Sequence, residues 1–409
     1  MEEWERWERR VQTAAHPVAY RLVRAVAARG PVVRVPRVGV VVSDARLARE
    51  VLTDAERYTK TGPGAAAALW GPVLGSRVLI ALDGAEHAAL RRRLGGLFTP
   101  GAVAAVCERV LRAPLDGLGR RLAAGERVDL VRVVRDGAAE VIRELVGLPA
   151  GGPDFTDAAA VVASLRLWRT TLSGRQTERA RAVLVRLSEA AVAAWRAGDE
   201  STVPGRLRVL GLDEAEARGA VGLFLLTGTE TLVSFVPRLV ALAHDTGRGP
   251  DAITDALVEE ALRVTSPTPV MLRSAARPGR IGGVRVEAGE RVVIATLLCT
   301  GAYGPFSPDR DPAETTDLRR LWFGAGPHFC LGMPLAMAET RAVVDGLRGF
   351  PHLTITDRRP ARGVLIPAYA RLTLQATGRA GARAKAPSRI PPAPGRGTGT
   401  RLRARRPGG

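Results

Sequence analysis

Residues 323–332 read FGAGPHFCLG, and Cys330 stands in this stretch two places after His328. The chain has only two other cysteines, Cys107 and Cys299. A cysteine thiolate binds soft and borderline metals. Glycine lacks a Cβ, so Gly324, Gly326 and Gly332 allow the backbone to pass close beneath a flat group. An apolar helix is expected just after the cysteine, over about 331–348. Its first amides and its dipole would then face the sulfur and favour thiolate over thiol. No second Cys or His stands at zinc-finger spacing. Phe329 occupies the place of the third glycine in a dinucleotide fingerprint. A lone cysteine is more often a buried structural residue than a ligand, so taken alone the loop leaves both readings open.

Three other stretches carry groups able to do chemistry. Residues 221–236, VGLFLLTGTETLVSFV, put a polar cluster, Thr227–Thr231, inside an apolar helix. Buried hydroxyls and carboxylates are unfavourable unless paired. The threonines could bond back to their own helix, or the Glu230–Thr231 pair could serve a site. In EEALR (259–263), Glu260 and Arg263 share a helix face at three-residue spacing and can bind each other and a third segment. In LDGAEHAALRRRLGGLFTP, His87 and Arg91 share a face at four-residue spacing. Both pairs also occur on ordinary surface helices.

The elements that must position these groups are mostly helical. Residues 1–30 read as helix, and VVRVPRVGVVVSD (32–44) alternates as a small sheet. From about 45 to 265 apolar residues recur at helical spacing. Residues 276–297 return to short strands, 302–329 are irregular, and HLTIT and ARLTLQ read as strands after the helix that follows Cys330. No fixed-period repeat is visible. The fold expected is mainly α with small β-sheets, a single catalytic domain over 1–377.

With 409 residues, 46% of them hydrophobic, the chain can build a large core. Three cysteines form no disulfide framework, which points to a reducing compartment. No run of about 18 purely apolar residues suggests a membrane span, and the charged start MEEWERWERR is no signal peptide. A cytoplasmic protein is expected. The net charge is +19, but residues 378–409 hold nine basic and no acidic residues, which leaves +10 for the rest. That tail, rich in Pro, Gly, Ala and Arg, is expected to be disordered. Without a nucleic-acid motif elsewhere, no specific nucleic-acid partner is expected.

FGAGPHFCLG resembles, without a gap, the cysteine-ligand signature of the cytochrome P450 family, Phe-Gly-x-Gly-x-His-x-Cys-x-Gly, and LGMPLAMAE extends the match through Ala336 and Glu339. The resemblance runs from about residue 15 to 375, is closest to soluble bacterial members, and implies the family's helical triangular prism. It implies that Cys330 is the metal ligand of haem b (iron-protoporphyrin IX heme). Phe323, Gly324, His328 and Gly332 would shape the loop beneath it. His87, Arg91 and Arg273 would meet the haem propionates, and Glu260 and Arg263 would form the family's buried structural pair. Residues 227–231 resemble the distal oxygen groove. There Gly228 would let the haem and dioxygen approach, Thr231 would meet the oxygen, and Glu230 would bring protons from solvent. O–O scission needs two protons, so an acid and a hydroxyl suit the task.

The implied activity is monooxygenation of a small hydrophobic or natural-product-like substrate. Electrons would come from a ferredoxin and a ferredoxin reductase, since the chain has no flavin or iron–sulfur motif. A docking patch is expected from Arg92, Arg93, Arg319, Arg320 and Arg341. The protein is expected to be a monomer. Substrate contacts would come from 62–80, 165–175, Leu223–Thr227, Val270–Met271 and Ile366–Pro367, with Leu223, Thr227, Val270, Met271 and Ile366 as named candidates. The sequence departs from the family at Thr227, where a small alanine is usual, and at Leu232, where a second hydroxyl is common. Pro237 is expected to kink the helix. The connection HDTGRGPDAITDAL is short, and TGAYGPF lacks an Asn-Arg-Asp element. A non-oxidising isomerase or a haem sensor on this fold is the other class the same loop allows; either would be expected to lose the Glu230–Thr231 relay.

Overall fold

The computed structural model of the chain describes residues 1–148 and 173–377. Residues 165–172 of an expected substrate segment, and the basic stretch 378–409, lie outside them. Two helices open the chain, α1 (Glu3–Ala15) and α2 (Ala19–Ala27). The valine-rich stretch forms β1 (Val32–Val35) and β2 (Gly39–Val42), antiparallel with Val32 opposite Val42. Asp44 then ends the strand: its carboxylate accepts from the Leu47 amide at 2.8 Å and caps α3 (Ala45–Thr53).

Beyond the short β3 (Tyr58–Thr59) lies the helical body. It comprises α4 (Ala66–Leu74), α5 (Gly84–Leu94), α6 (Pro100–Ala123), the two-residue β4 (Val128–Asp129) and α7 (Leu130–Leu145). It continues with α8 (Gly174–Ala197), α9 (Val203–Val209), α10 (Glu214–Gly228), α11 (Glu230–Asp245) and α12 (Asp255–Thr265). Strands return as β5 (Met271–Ala275), the hairpin β6 (Gly279–Ile281) and β7 (Val284–Val286), and β8 (Arg291–Ile294). Then come α13 (Thr296–Gly301), α14 (Met333–Leu347), β9 (Leu353–Pro360) and β10 (Tyr369–Ala376).

The main sheet has the order β1-β2-β8-β5-β3. Its one parallel pairing, Val40 opposite Val292, joins the N-terminal hairpin to the segment that leads toward Cys330. A second sheet, β4-β10-β9, closes the far side.

The single long helix expected over 221–236 is interrupted at Thr229 (φ −91°, ψ −57°), where α10 ends and α11 begins. Pro237, where a kink is expected, does not end the helix: α11 runs through it to Asp245. Every residue from Leu232 to Ala243 is buried, and a helix apolar all round belongs in a core. By length and hydropathy Glu214–Asp245 could cross a membrane, but 76% of its most apolar window is buried inside the protein. Arg238 explains how α11 tolerates a charge there. It is paired with Glu8 of α1, and it donates to the Ser234 hydroxyl and the Pro367 carbonyl, both at 3.3 Å, and to the Thr265 carbonyl at 2.9 Å. The shortened connection holds only a 3-10 turn, Pro250–Ala252, before α12.

Candidate active site

Cys330 opens onto a cavity of about 210 Å³ lined on one side by the Cys330 loop and α14, and on the other by α5, α7 and α10. Two hollows of about 310 and 550 Å³ lie elsewhere, one beside Val240 and His352, the other beside Arg109 and Thr202; neither holds a cysteine. The Cys330 amide donates to the Phe323 carbonyl at 2.9 Å, which closes the loop on itself. Gly324 (φ +85°) and Gly326 (φ +65°) sit in the left-handed region that glycine favours. Close approach to a flat group accounts for only part of this. A Cβ on Gly326 would lie 2.7 Å from the Leu52 carbonyl oxygen, so this glycine seats the loop on α3. Of the three loop glycines, Gly332 is the one that lines the cavity.

The expected amides do reach the sulfur: those of Gly332 and Met333 bond to it. Burial nonetheless outweighs them and pushes the Cys330 thiol up, with Arg91 and Lys60 pulling the other way. A bound metal would reverse the balance, because a coordinating thiol is deprotonated outright.

His87, Arg91 and His328 line the cavity together. His328 Nε2 lies 2.8 Å from Asp83 Oδ1, and its Nδ1 lies 3.1 Å from His87 Nε2. The order that satisfies all three groups has His328 donating to Asp83 while His87 donates to His328. Both imidazoles are then neutral. Burial, then the facing His328, lowers His87 to about 4. Burial also lowers His328, against the pull of Asp83. Asp83 itself is pushed up by burial, yet the bonds from His328 and Thr61 outweigh this and bring it below its ordinary value. Arg273, on β5, is 4% exposed. Its Nη1 donates to the Leu272 carbonyl at 2.8 Å, and its buried Nε has no partner. Desolvation lowers it to about 10.

On the opposite wall stand Leu223, Phe224, Thr227, Gly228 and Thr231, with Leu79, Ile80, Phe98 and Ile142. The Thr227 hydroxyl donates to the Leu223 carbonyl at 2.8 Å, and that of Thr231 to the Thr227 carbonyl at 2.9 Å. Gly228 borders the cavity, but a Cβ there would meet Ile142 Cδ1 at 2.3 Å, so its smallness serves the contact with α7. Glu230 turns away from the cavity toward α7, where its Oε1 lies 3.5 Å from Arg135 Nε.

Glu260 and Arg263 pair at 2.7 Å, side chains 5% and 1% exposed. Arg263 also donates to the Thr300, Gly304 and Pro305 carbonyls, and Arg310 joins Glu260 at 3.1 Å. The third segment foreseen for this pair is therefore 300–310, and Arg310 is a member the sequence did not single out. Val270, Met271 and Ile366 are not among the cavity-lining residues. Met271 packs instead toward the main core, and Val270 joins the small cluster of Val41, Val293 and Ala295.

Lys60, Asp83 and Arg135 were also missed, and Glu339 was named only as part of the extended cysteine motif. Glu339 lines the cavity at 2% exposure with an unpartnered Oε1, and burial raises its carboxyl well above the ordinary range. A signal existed for Lys60: it is one of two lysines in the chain, the other being Lys385.

These residues fit a haem. The thiol lies on one wall, small and apolar side chains face it, and cationic and imidazole groups crowd one edge, with the buried Arg273 Nε unsatisfied. Comparison with known proteins agrees. The cytochrome P450 family profile matches residues 252–347. The cytochrome P-450 monooxygenase DoxA of Streptomyces sp. (strain C5) is 34% identical over 377 residues, 79% of this chain and 85% of the relative. The erythromycin C-12 hydroxylase of Saccharopolyspora erythraea is 30% identical over 308 residues, 69% of this chain and 75% of the relative. The structure of a mutant of P450 EryK in complex with erythromycin B superposes with a TM-score of 0.73 at 25% identity, covering 91% of this chain and all of that one. Kinship at this level, over this share of both sequences, places the protein in the cytochrome P450 family of haem-dependent monooxygenases.

Proposed function

We propose that the protein binds haem b through Cys330 and oxidises a small hydrophobic or natural-product-like molecule by hydroxylation, epoxidation or oxidative coupling. The observation that carries this reading is the cavity itself, which sets Cys330 opposite Thr231 and Leu223. The relatives support the substrate class: one is named as a hydroxylase of erythromycin, another as a biflaviolin synthase, and both names describe tailoring of natural products. Haem supplies the activation of dioxygen, and thiolate donation favours O–O cleavage.

The chain's own residues hold, orient and protonate. Arg91 and Arg273 would hold the haem carboxylates, His87 and His328 would fix that edge through their bonds to each other and to Asp83, and Phe323, Gly324 and Gly332 would shape the loop around the sulfur. Leu79, Ile80, Phe98, Leu223 and Phe224 supply an apolar wall that excludes water, and Thr227 adds one hydroxyl for orientation. Thr231 turns its hydroxyl from the Thr227 carbonyl toward the cavity to pass a proton. Glu230, turned toward Arg135 in this structure, recharges it by swinging back and takes its own proton from water. Electrons come from a ferredoxin and its reductase. The protein works as a monomer in the cytoplasm.

The test is the absorption of the reduced carbon monoxide complex. The wild type should show the strongly red-shifted band of thiolate-ligated haem, and Cys330→Ala should lose it. Retention of the band in Cys330→Ala, with its loss in Cys107→Ala, would move the ligand to another residue and end this reading.

A further inference from the structure

Lys60 lies at the head of the loop between β3 and α4, and it lines the cavity beside His87, Arg91, His328 and Cys330. Its main chain is fixed on both sides. The Lys60 amide donates to Asp83 Oδ2 at 2.8 Å, and its carbonyl accepts from the Ala67 amide at 3.0 Å. The side chain therefore leaves a rigid root and lines the cavity.

Asp83 offsets the charge of Lys60 only in part and makes no direct ion pair with it. Its Oδ1 is taken by His328, and its Oδ2 accepts from the Lys60 amide, the Thr61 amide and the Thr61 hydroxyl. Arg91 and Arg273 are close enough to disfavour the ammonium further. Desolvation, then Arg273, lowers Lys60 to about 7. Lys60 and Arg91 thus line one edge of the cavity with Arg273, itself not a lining residue, near them, and among the described residues none of the three makes a direct ion pair. Buried charges without partners are strongly unfavourable, so this edge is built for an anion that the chain does not contain. Two carboxylates and a thiolate would match three cations in number. Elsewhere the chain uses arginine for its cations almost without exception. A compact ammonium on a flexible stem can enter an edge that Arg91 and Arg273 already crowd.

We propose that Lys60 is a third haem-carboxylate anchor, working beside Arg91 and Arg273 and closing on the propionate edge from the β3 side. This inference rests on the haem-thiolate reading above.

The experiment compares wild type, Lys60→Met and Lys60→Arg as holoproteins. It measures transfer of haem to excess apomyoglobin at pH 7, and the ferric/ferrous potential. The Lys60→Met protein should release haem faster by on the order of tenfold, the effect of losing one charge-assisted hydrogen bond. Its potential should shift negative, because an uncompensated carboxylate favours the ferric state. Lys60→Arg should stay near wild type in both. The red-shifted carbon monoxide band should persist in all three, since Cys330 is untouched; its absence from the wild type would defeat the haem-thiolate reading and not the lysine's part in it. Unchanged haem release and potential in Lys60→Met overturn the proposal. So does equal loss in both variants, which would mark a packing role. If haem release is unchanged while spectral titration shows weaker binding of carboxylic-acid ligands only, Lys60 is a substrate anchor and the proposal fails.

Discussion

Cys107 and Cys299 show by contrast what makes Cys330 special. Both are fully packed, and burial raises each thiol to about 12. At pH 8 only about one in ten thousand of such thiols is ionised, and the thiolate is the reactive form. The holoprotein should therefore resist thiol alkylation at pH 8, and urea-unfolded protein should label at all three positions; mass spectrometry reads the difference. Since the thiol form dominates below its pKa, protection of Cys107 and Cys299 should weaken only as the pH climbs toward 12. Thr231 offers a second contrast. Its hydroxyl bonds back to the Thr227 carbonyl, which is the ordinary habit of a helical threonine, yet it faces the cavity two residues behind the mouth of the helix break. Thr231→Ala should leave haem content unchanged and raise hydrogen peroxide release per NAD(P)H consumed, with product formation falling by about 10²-fold or less, the lower end of what a positioned proton donor contributes. Coupling unchanged on a turned-over substrate would assign the relay to Thr227 or to the substrate itself.

The helix break at Thr229 is where local packing and chemistry meet. Gly228 ends α10 against Ile142 of α7, with room for hydrogen and no more. Gly228→Ala should destabilise the fold by about 1–3 kcal/mol through overpacking. Adding Ile142→Val removes the Cδ1 it strikes, so the double variant should recover part of the loss in urea unfolding, a coupling expected only of residues in contact. Glu260→Ala is the harsher change at this scale. It strands Arg263, whose side chain is 1% exposed, and frees Arg310. Removing one partner of a buried pair costs about 3–5 kcal/mol, so Glu260→Ala should yield little folded protein, while Arg310→Ala, which leaves the inner pair intact, should be milder. These elements also mark what could be read from the sequence. The cysteine loop, the strands around it and the Glu260–Arg263 pair were legible because each depends on local spacing. The break at Thr229 was not, because Pro237 is the stronger local signal and tertiary packing carries α11 through it. Asp83, Lys60 and Arg310 were missed for the same reason: each acts through a partner far along the chain, 245 residues in the case of Asp83 and His328. Val270 and Met271, expected at the cavity from the family resemblance, pack into the apolar clusters instead, and Ile366 does not line the cavity.

At the scale of the whole molecule the remaining question is where electrons enter. The cysteine side is the expected docking face, and the sequence offered Arg92, Arg93, Arg319, Arg320 and Arg341 for it. The structure thins that set. Arg320 is engaged by Glu259 at 2.7 Å and Arg341 by Asp255 at 3.0 Å, so neither presents a free charge. Arg93 reaches the Leu210 carbonyl at 3.5 Å. Arg92, at the end of the helix that carries His87 and Arg91, is exposed, and so is Arg319 in its left-handed turn (φ +42°). A C-terminal helix end favours cations, so Arg92 has a local reason to exist as well as a docking one, and only kinetics separates them. Opposite fields speed encounter and set orientation, while their reach shrinks to about 10 Å at 0.1 M salt. Reduction of the substrate-bound enzyme by an acidic ferredoxin should therefore slow as salt rises. Arg92→Glu and Arg319→Glu should each slow it further at low salt, with substrate affinity unchanged. Arg341→Glu should do less, because its charge is already balanced by Asp255 and the main effect would fall on that exposed pair. A reduction rate indifferent to salt and to all three reversals would leave these arginines as surface charge and send the search for the docking face elsewhere.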